Sequence, residues 1–127
     1  MPNEQPLAGC RVLIVEDEWF LADDLRAALK SLGANVIALI GDLDEALDLL
    51  ARGGFDVAVI DINLRGDLGF TIADQLQQQG IPFVFSTGYS ANQIPAQFAD
   101  VIRWEKPYNP QVVLKDVVQL WHGGHPK

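Results

Sequence analysis

The chain has 127 residues, 49% of them hydrophobic, so it is long enough for one domain with a substantial core. Its 17 acidic and 9 basic residues give a formal net charge of −8, which argues against direct binding to nucleic acid or to an anionic membrane. No apolar run approaches the roughly 20 residues of a membrane span, no secretion signal is visible, and the single cysteine, Cys10, excludes an internal disulfide and favours a reducing cytoplasm.

Short apolar runs recur along the chain and predict five β-strands. The central run, from Val57 to Ile60, is uninterrupted and contains β-branched residues, as expected of a strand that is covered on both faces. In chain order, the predicted strands are residues 11–15, 35–40, 57–60, 81–85 and 101–104.

The segments that follow these strands carry helical periodicity. Asp42 and Glu45 form a capping box at the start of the second helix, and Asn109 before Pro110 suits the start of the last one. Pro95 interrupts the fourth segment, which has few apolar residues. The predicted helices are residues 19–32, 42–52, 70–79, 90–100 and 110–122.

Strands and helices alternate five times, and this alternation determines the predicted fold class. Because parallel crossovers are right-handed, the pattern predicts an α/β domain with a doubly wound, five-stranded parallel sheet that is covered on both faces. We expect the strand order 2-1-3-4-5, which is one of the common orders of such sheets and is flavodoxin-like. The predicted domain spans residues 10–122. Residues 1–9, with two prolines, predict a flexible arm, and residues 123–127 a frayed tail.

Polar side chains stand where the predicted strands end: Glu16, Asp17, Asp61, Thr87 and Lys106. The carboxyl ends of parallel strands share one edge of the sheet, so these groups are expected to meet. Three close carboxylates repel one another unless a cation intervenes, and hard oxygen ligands suit Mg²⁺. Asp61 would then be the nucleophile for a phosphoryl group, which Thr87 and Lys106 could contact.

This pattern resembles the receiver domains of two-component response regulators, from about Arg11 to Trp121. The match rests on Glu16 and Asp17, Asp61 with Gly69 at the usual offset, Thr87, and Lys106 with Pro107. The resemblance implies that Asp61 is phosphorylated and that Thr87 and Lys106 sense the phosphoryl group. It also implies a Mg²⁺ site formed by Glu16, Asp17, Asp61 and the backbone carbonyl of Asn63.

Several positions depart from the usual receiver pattern. Arg65 stands where the family often has proline, Gly88 where it has alanine, and Arg103 where an aromatic switch residue is common. The segment from Phe85 to Tyr89 is similar to the Phe-Ala-Thr-Gly-X-Tyr signature of an alphaproteobacterial subgroup, with the tyrosine one position early. That resemblance implies HWE-type or related histidine kinases, general stress signalling, and a switch role for Tyr89.

The predicted function is a cytoplasmic, stand-alone response regulator that a histidine kinase or phosphotransfer protein phosphorylates. It would signal through protein contacts and would not be an enzyme beyond promoting its own phosphorylation and dephosphorylation. The alternatives are a phosphorylation-independent interaction module, a phosphate sink for a shared kinase, and a flavodoxin-like cofactor carrier. The last is disfavoured because Glu16, Asp17 and Glu18 would repel a bound phosphate. Glu16 and Asp17 could also be merely solvated acids at a helix start, and Asp61 could merely end its strand or cap a turn.

Overall fold

The computed structural model describes residues 5–40, 43–62, 68–88 and 94–123. A five-stranded parallel sheet in the order β2-β1-β3-β4-β5 forms its centre, which confirms the predicted fold. The strands are β1 Arg11–Glu16, β2 Asn35–Ile40, β3 Val57–Asp61, β4 Phe83–Thr87 and β5 Ile102–Glu105. The α-helices are α1 Trp19–Ser31, α2 Leu43–Arg52, α3 Leu68–Gln79 and α4 Pro110–Gly123. No described helix is long and apolar enough to cross a membrane.

Strand β3 separates two hydrophobic layers. Its side chains alternate between the faces: Val57 and Val59 pack with α1 and α4, and Ala58 and Ile60 pack with α2 and α3. Every residue of β3 is buried, which explains why the run is apolar without interruption. The alternation places Asp61, the last residue of β3, on the face that α1 and α4 cover.

The strand register brings the carboxyl ends of the strands together. Asp61 pairs with Ser86 of β4, and Thr87 pairs with Glu105 of β5. The chain also returns closely past β3, because a Cβ on Gly69 would lie 2.8 Å from the Asp61 carbonyl oxygen. Glycine at position 69 therefore lets α3 begin directly against the end of β3.

The α-helix predicted over residues 90–100 is wrong for the part of it that the structure describes. Residues 94–100 contain a single 3₁₀ turn at Ala96–Phe98. Pro95 precedes this turn in an extended conformation, with φ −55° and ψ 148°, and has no N–H to continue a helix. Phe98 is buried against the rings of Phe83 and Phe85, so packing of one aromatic ring holds this segment on the sheet.

Residues 5–9 belong to the packed domain, contrary to the predicted flexible arm. Leu7 is fully buried in the layer under α1 and α4, and its N–H donates to the Leu32 carbonyl at 2.9 Å. The Pro6 carbonyl lies 3.0 Å from a ring nitrogen of His122 on α4. Burial of one leucine outweighs the local tendency of two prolines toward an extended arm. Residues 1–4 and 124–127, and the predicted helix cap Asp42, lie outside the described residues.

Candidate functional site

Lys106 lies at the centre of an acidic group at the carboxyl edge of the sheet. Its ammonium is 3.0 Å from the Glu16 carboxylate, 3.1 Å from Asp61 and 3.1 Å from Glu18. The Glu16 and Asp61 side chains are 3% and 1% exposed, so they rely on Lys106 to offset their burial. The structure thus brings three of the predicted site residues, from β1, β3 and the end of β5, into direct contact.

Glu16 is held by hydrogen bonds to the backbone as well as by Lys106. One oxygen, Oε2, accepts the N–H groups of Asp17 at 2.9 Å and Glu18 at 3.0 Å. Burial, followed by a hydrogen bond and the negative charge of Asp61, raises the pKa of Glu16 from 4.5 to about 7. Burial alone would lower the pKa of Lys106, but its contacts with Glu16 and Asp61 outweigh that effect and raise it. Glu16 therefore holds its proton to a higher pH than an isolated glutamate would.

The raised pKa of Glu16 predicts a pH-dependent free energy of unfolding in metal-free buffer. The folded chain keeps a proton that the unfolded chain releases, so this stabilisation is present below about pH 4.5 and is lost as the pH rises through about 7. The loss is on the order of 3 kcal/mol. Urea unfolding from pH 4.5 to 8 should show this slope in the wild type and a flatter one in Glu16→Gln. Equal slopes in both proteins would contradict the assignment.

An open cleft of about 740 Å³ lies beside this group, and it gives Asp61 access to solvent-borne ligands. Acidic side chains line one part of it: Asp17, Glu18, Asp24 and Asp61. Phe20, Leu21 and Pro107 form its apolar part. Asp17 is exposed, in contrast to the buried Glu16 that precedes it. A second cleft, of about 680 Å³, lies at the opposite edge of the sheet and has one acid, Asp100, in its lining.

The chemistry of the cleft suits a hard divalent cation such as Mg²⁺. Asp17 and Asp61 both line the cleft, and the oxygen ligands that carboxylates offer are those that Mg²⁺ prefers. No group of three acidic, histidine or cysteine side chains is already arranged around a common metal position in the described residues. Asn63, the fourth predicted ligand, lies outside them, as do Arg65 and Tyr89. The donor types fit the ion, and Lys106 supplies the compensating charge in this arrangement.

Thr87 is the last residue of β4 and is 2% exposed. Its carbonyl accepts the backbone N–H of Lys106 at 2.7 Å, so the end of β4 and the lysine loop are joined directly. Side chains alternate along β4, so Thr87 lies on the same face of the sheet as Phe85, whereas Ser86 lies on the same face as Asp61. Gly88, the next residue, is exposed and lines the cleft.

The structure also places residues at the site that the sequence reasoning did not assign to it. Glu18 contacts Lys106, and the hydroxyl groups of Ser86 and Tyr108 are buried near the same acids. Burial, and then the charge of Glu16, raises the pKa of Tyr108 to about 12, although the Ser86 hydroxyl partly offsets this. Glu18 is the last of three consecutive acids that begin at the end of β1, and this run in the sequence could have indicated that Glu18 belongs to the site. Trp104 packs in the core and donates its indole N–H to Asp116 at 2.9 Å.

Sequence comparison identifies the family to which this site belongs. A model of the response regulator receiver domain matches residues 12–117. The chain belongs to this family. The matched segment begins in β1 and ends in α4, so it includes every described residue of the acidic group. Receiver domains are parts of two-component signalling systems, and the chain is therefore a response regulator domain of that kind.

Individual relatives agree with this receiver assignment. The sensory transduction protein LytT of Bacillus anthracis is 30% identical over 111 residues, which cover 83% of this chain and 44% of LytT. The chain thus spans less than half the length of the curated relatives that it matches first. SdrG from Sphingomonas melonis Fr1 is 34% identical with a TM-score of 0.74, over 87% of this chain and 95% of SdrG. A receiver protein from Sinorhizobium medicae WSM419 is 26% identical with a TM-score of 0.77, over 94% of this chain and 99% of that one.

Proposed function

We propose that this receiver accepts a phosphoryl group on Asp61 from a histidine kinase or phosphotransfer protein, in a Mg²⁺-dependent reaction. The observation that carries the proposal is the contact of Lys106 with both Asp61 and Glu16 at the inner end of an open cleft. Asp61 is buried except toward this cleft, so a donor reaches its carboxylate from one direction. That single approach suits the in-line geometry of phosphoryl transfer.

Asp61, Lys106 and Thr87 have separate roles in the phosphoryl transfer. An Asp61 oxygen attacks the phosphorus atom of a phosphohistidine, the P–N bond breaks, and the electron pair returns to the imidazole, which takes up a proton. Lys106 neutralises charge on the transferred group. Mg²⁺, held by Glu16, Asp17, Asp61 and the Asn63 carbonyl, would supply further neutralisation of the phosphoryl oxygens. Thr87 would donate its hydroxyl hydrogen to another of these oxygens.

The output is a change of protein contacts, and the domain promotes only its own phosphorylation and dephosphorylation. When Lys106 and Thr87 turn toward the phosphoryl group, the loops after β4 and β5 move with them, since the Lys106 N–H is bonded to the Thr87 carbonyl. Tyr89 takes the aromatic switch role that Arg103 cannot fill. SdrG, a 34% identical relative, adopts a BeF₃-activated conformation, which supports switching of this kind. We place the protein in the cytoplasm.

Two exposed aromatic residues at the start of α1 indicate where the phosphoryl donor docks. Trp19 is 54% exposed and Phe20 is 79% exposed, and their rings meet edge to face with centroids 5.1 Å apart. Phe20 also lines the cleft above Asp61. Exposed aromatic side chains next to a reactive group favour a protein partner over a small molecule. The Phe-Ala-Thr-Gly-X-Tyr resemblance favours a kinase of the HWE type as that partner.

Transfer from an autophosphorylated, radiolabelled HWE-type histidine kinase tests this function. Phe20→Ala should slow transfer from the kinase about tenfold or more, because it removes a large exposed apolar contact without adding charge to the cleft, while uptake from acetyl phosphate stays within about twofold. Gln119→Ala truncates an exposed side chain by the opposite cleft and is the matched control. Equal slowing of both donors by Phe20→Ala would contradict docking there, and no transfer to the wild type from any such kinase would contradict this partner class.

A further inference from the structure

Two hydroxyl groups are buried next to the acidic group. Neither Ser86 Oγ nor Tyr108 OH makes a hydrogen bond of ordinary geometry with the residues that the structure describes. An unpaired buried hydroxyl is costly, and native proteins retain few of them. The Ser86 hydroxyl nevertheless lies close enough to the Tyr108 oxygen to lower the pKa of the phenol. The two groups therefore face each other, and both have hydrogen-bonding capacity that the resting site leaves unused.

The position of this hydroxyl pair connects it to Asp61. Ser86 is the register partner of Asp61 in the neighbouring strand, and both side chains follow the sheet face that α1 and α4 cover. Ser86 is completely buried. Tyr108 follows Lys106 by two residues and packs on Trp104, with the two ring centroids 5.2 Å apart. Its hydroxyl is close enough to Glu16, Lys106 and Asp61 to interact with their charges. Ser86 is thus a neighbour of both Tyr108 and Asp61, whose carboxyl is the reactive group.

We propose that Tyr108 and Ser86 are positioning residues that form a hydrogen-bond relay onto the Asp61 carboxyl and set the lifetime of the phosphorylated state. Tyr108 donates to Ser86 Oγ, and the Ser86 hydroxyl donates to the Asp61 oxygen that does not carry the phosphoryl group. Hydroxyl hydrogens rotate without moving the backbone, so the relay forms when Lys106 turns away from Asp61. This inference rests on the proposed phosphorylation of Asp61.

The relay acts on hydrolysis and not on phosphorylation. In hydrolysis, water attacks phosphorus, the bond between phosphorus and Asp61 breaks, and its electron pair stays on the carboxylate while the water proton leaves with phosphate. A donor to Asp61 stabilises that developing charge and speeds hydrolysis. In the resting site Lys106 contacts Asp61 and the relay is not formed, so it does not change the rate of uptake. Loss of the relay should therefore give slower hydrolysis and unchanged phosphorylation.

The test measures both rates by intact mass, with acetyl phosphate and Mg²⁺ as the probe, in Ser86→Ala, Tyr108→Phe and the double variant. Ser86→Ala should slow hydrolysis about three- to tenfold and should not slow uptake. Tyr108→Phe should act in the same direction more weakly, and its effect should vanish in the Ser86→Ala background. Ser86→Cys keeps the volume but donates poorly, so it should resemble Ser86→Ala. Ser31→Ala, which removes an exposed hydroxyl from α1, is the control.

Because Ser86→Ala and Tyr108→Phe remove hydroxyls with no described partner, thermal unfolding of these variants should show midpoints at or above that of the wild type, and the rates then report chemistry and not damage. Hydrolysis within twofold of the wild type in Ser86→Ala, or a parallel fall of both rates, overturns the relay while leaving the proposed function intact. Absence of any phosphoryl adduct on the wild type overturns the proposed function, and the relay with it.

Discussion

Replacement of Lys106 by methionine should lower the free energy of unfolding by about 3–5 kcal/mol at pH 8 in metal-free buffer. The substitution keeps most of the side-chain volume and removes the ammonium that contacts Glu16, Glu18 and Asp61. Two of these carboxylates are almost fully buried and would be left without a compensating charge. The expected loss is thus much larger than that of a surface ion pair.

The pH dependence of this loss separates charge from packing. Below about pH 5 the loss should shrink, because Glu16 can protonate in the folded state at little cost. Urea unfolding at pH 5 and pH 8 measures both quantities. Lys115→Met, on the exposed side of α4, is the matched control and should change stability by less than about 0.5 kcal/mol. If Lys106→Met unfolds like Lys115→Met at pH 8, the ammonium does not hold the acidic group together.

Removal of divalent metal should slow phosphorylation by acetyl phosphate about 100-fold or more. The cleft already contains the carboxylates of Asp17 and Asp61, and a dianionic donor entering it meets repulsion that Lys106 alone does not offset. Asp17→Asn should reproduce much of this slowing in the presence of Mg²⁺. It should also weaken the change of Trp19 fluorescence on Mg²⁺ addition, because Trp19 is two residues from Asp17 and exposed.

Asp48→Asn is the control for Asp17→Asn. Asp48 is an exposed acid of α2, paired with Arg52 at 3.0 Å, and does not line the cleft. The phosphorylation rate of the Asp48→Asn variant and its fluorescence response to Mg²⁺ should match those of the wild type. Equally fast phosphorylation with and without EDTA would contradict a role for Mg²⁺ and would leave Lys106 as the group that neutralises the charge of the donor.

Much of the fold follows from local patterns in the chain. Uninterrupted apolar runs such as Val57 to Ile60 predict strands covered on both faces, and their alternation with helices predicts the parallel sheet that the structure has. Its order, one of the common doubly wound orders, brings Glu16, Asp61 and Lys106 together from three separate segments. The two contacts of Lys106 with these acids could be predicted because they depend on topology, not on side-chain detail.

The remaining features depend on tertiary packing that periodicity does not report. Leu7 joins the core because it packs in the hydrophobic layer under α1 and α4, which no local pattern around two prolines reveals. The segment after Pro95 makes only a 3₁₀ turn, because a single buried ring, Phe98, positions it. The contact of Glu18 with Lys106 and the meeting of Ser86 with Tyr108 depend on the reach of individual side chains.

Phosphorylation of Asp61 is tested most directly by the intact mass of the protein after incubation with Mg²⁺ and acetyl phosphate. The wild type should gain one phosphoryl group, and Asp61→Asn, which has no carboxylate nucleophile in β3, should gain none. Borohydride reduction and peptide mapping should place the modified residue at Asp61. An adduct on both proteins would contradict the assignment of the site. An adduct on neither, with kinase-dependent transfer also absent, would contradict phosphorylation and favour a receiver that signals by binding alone.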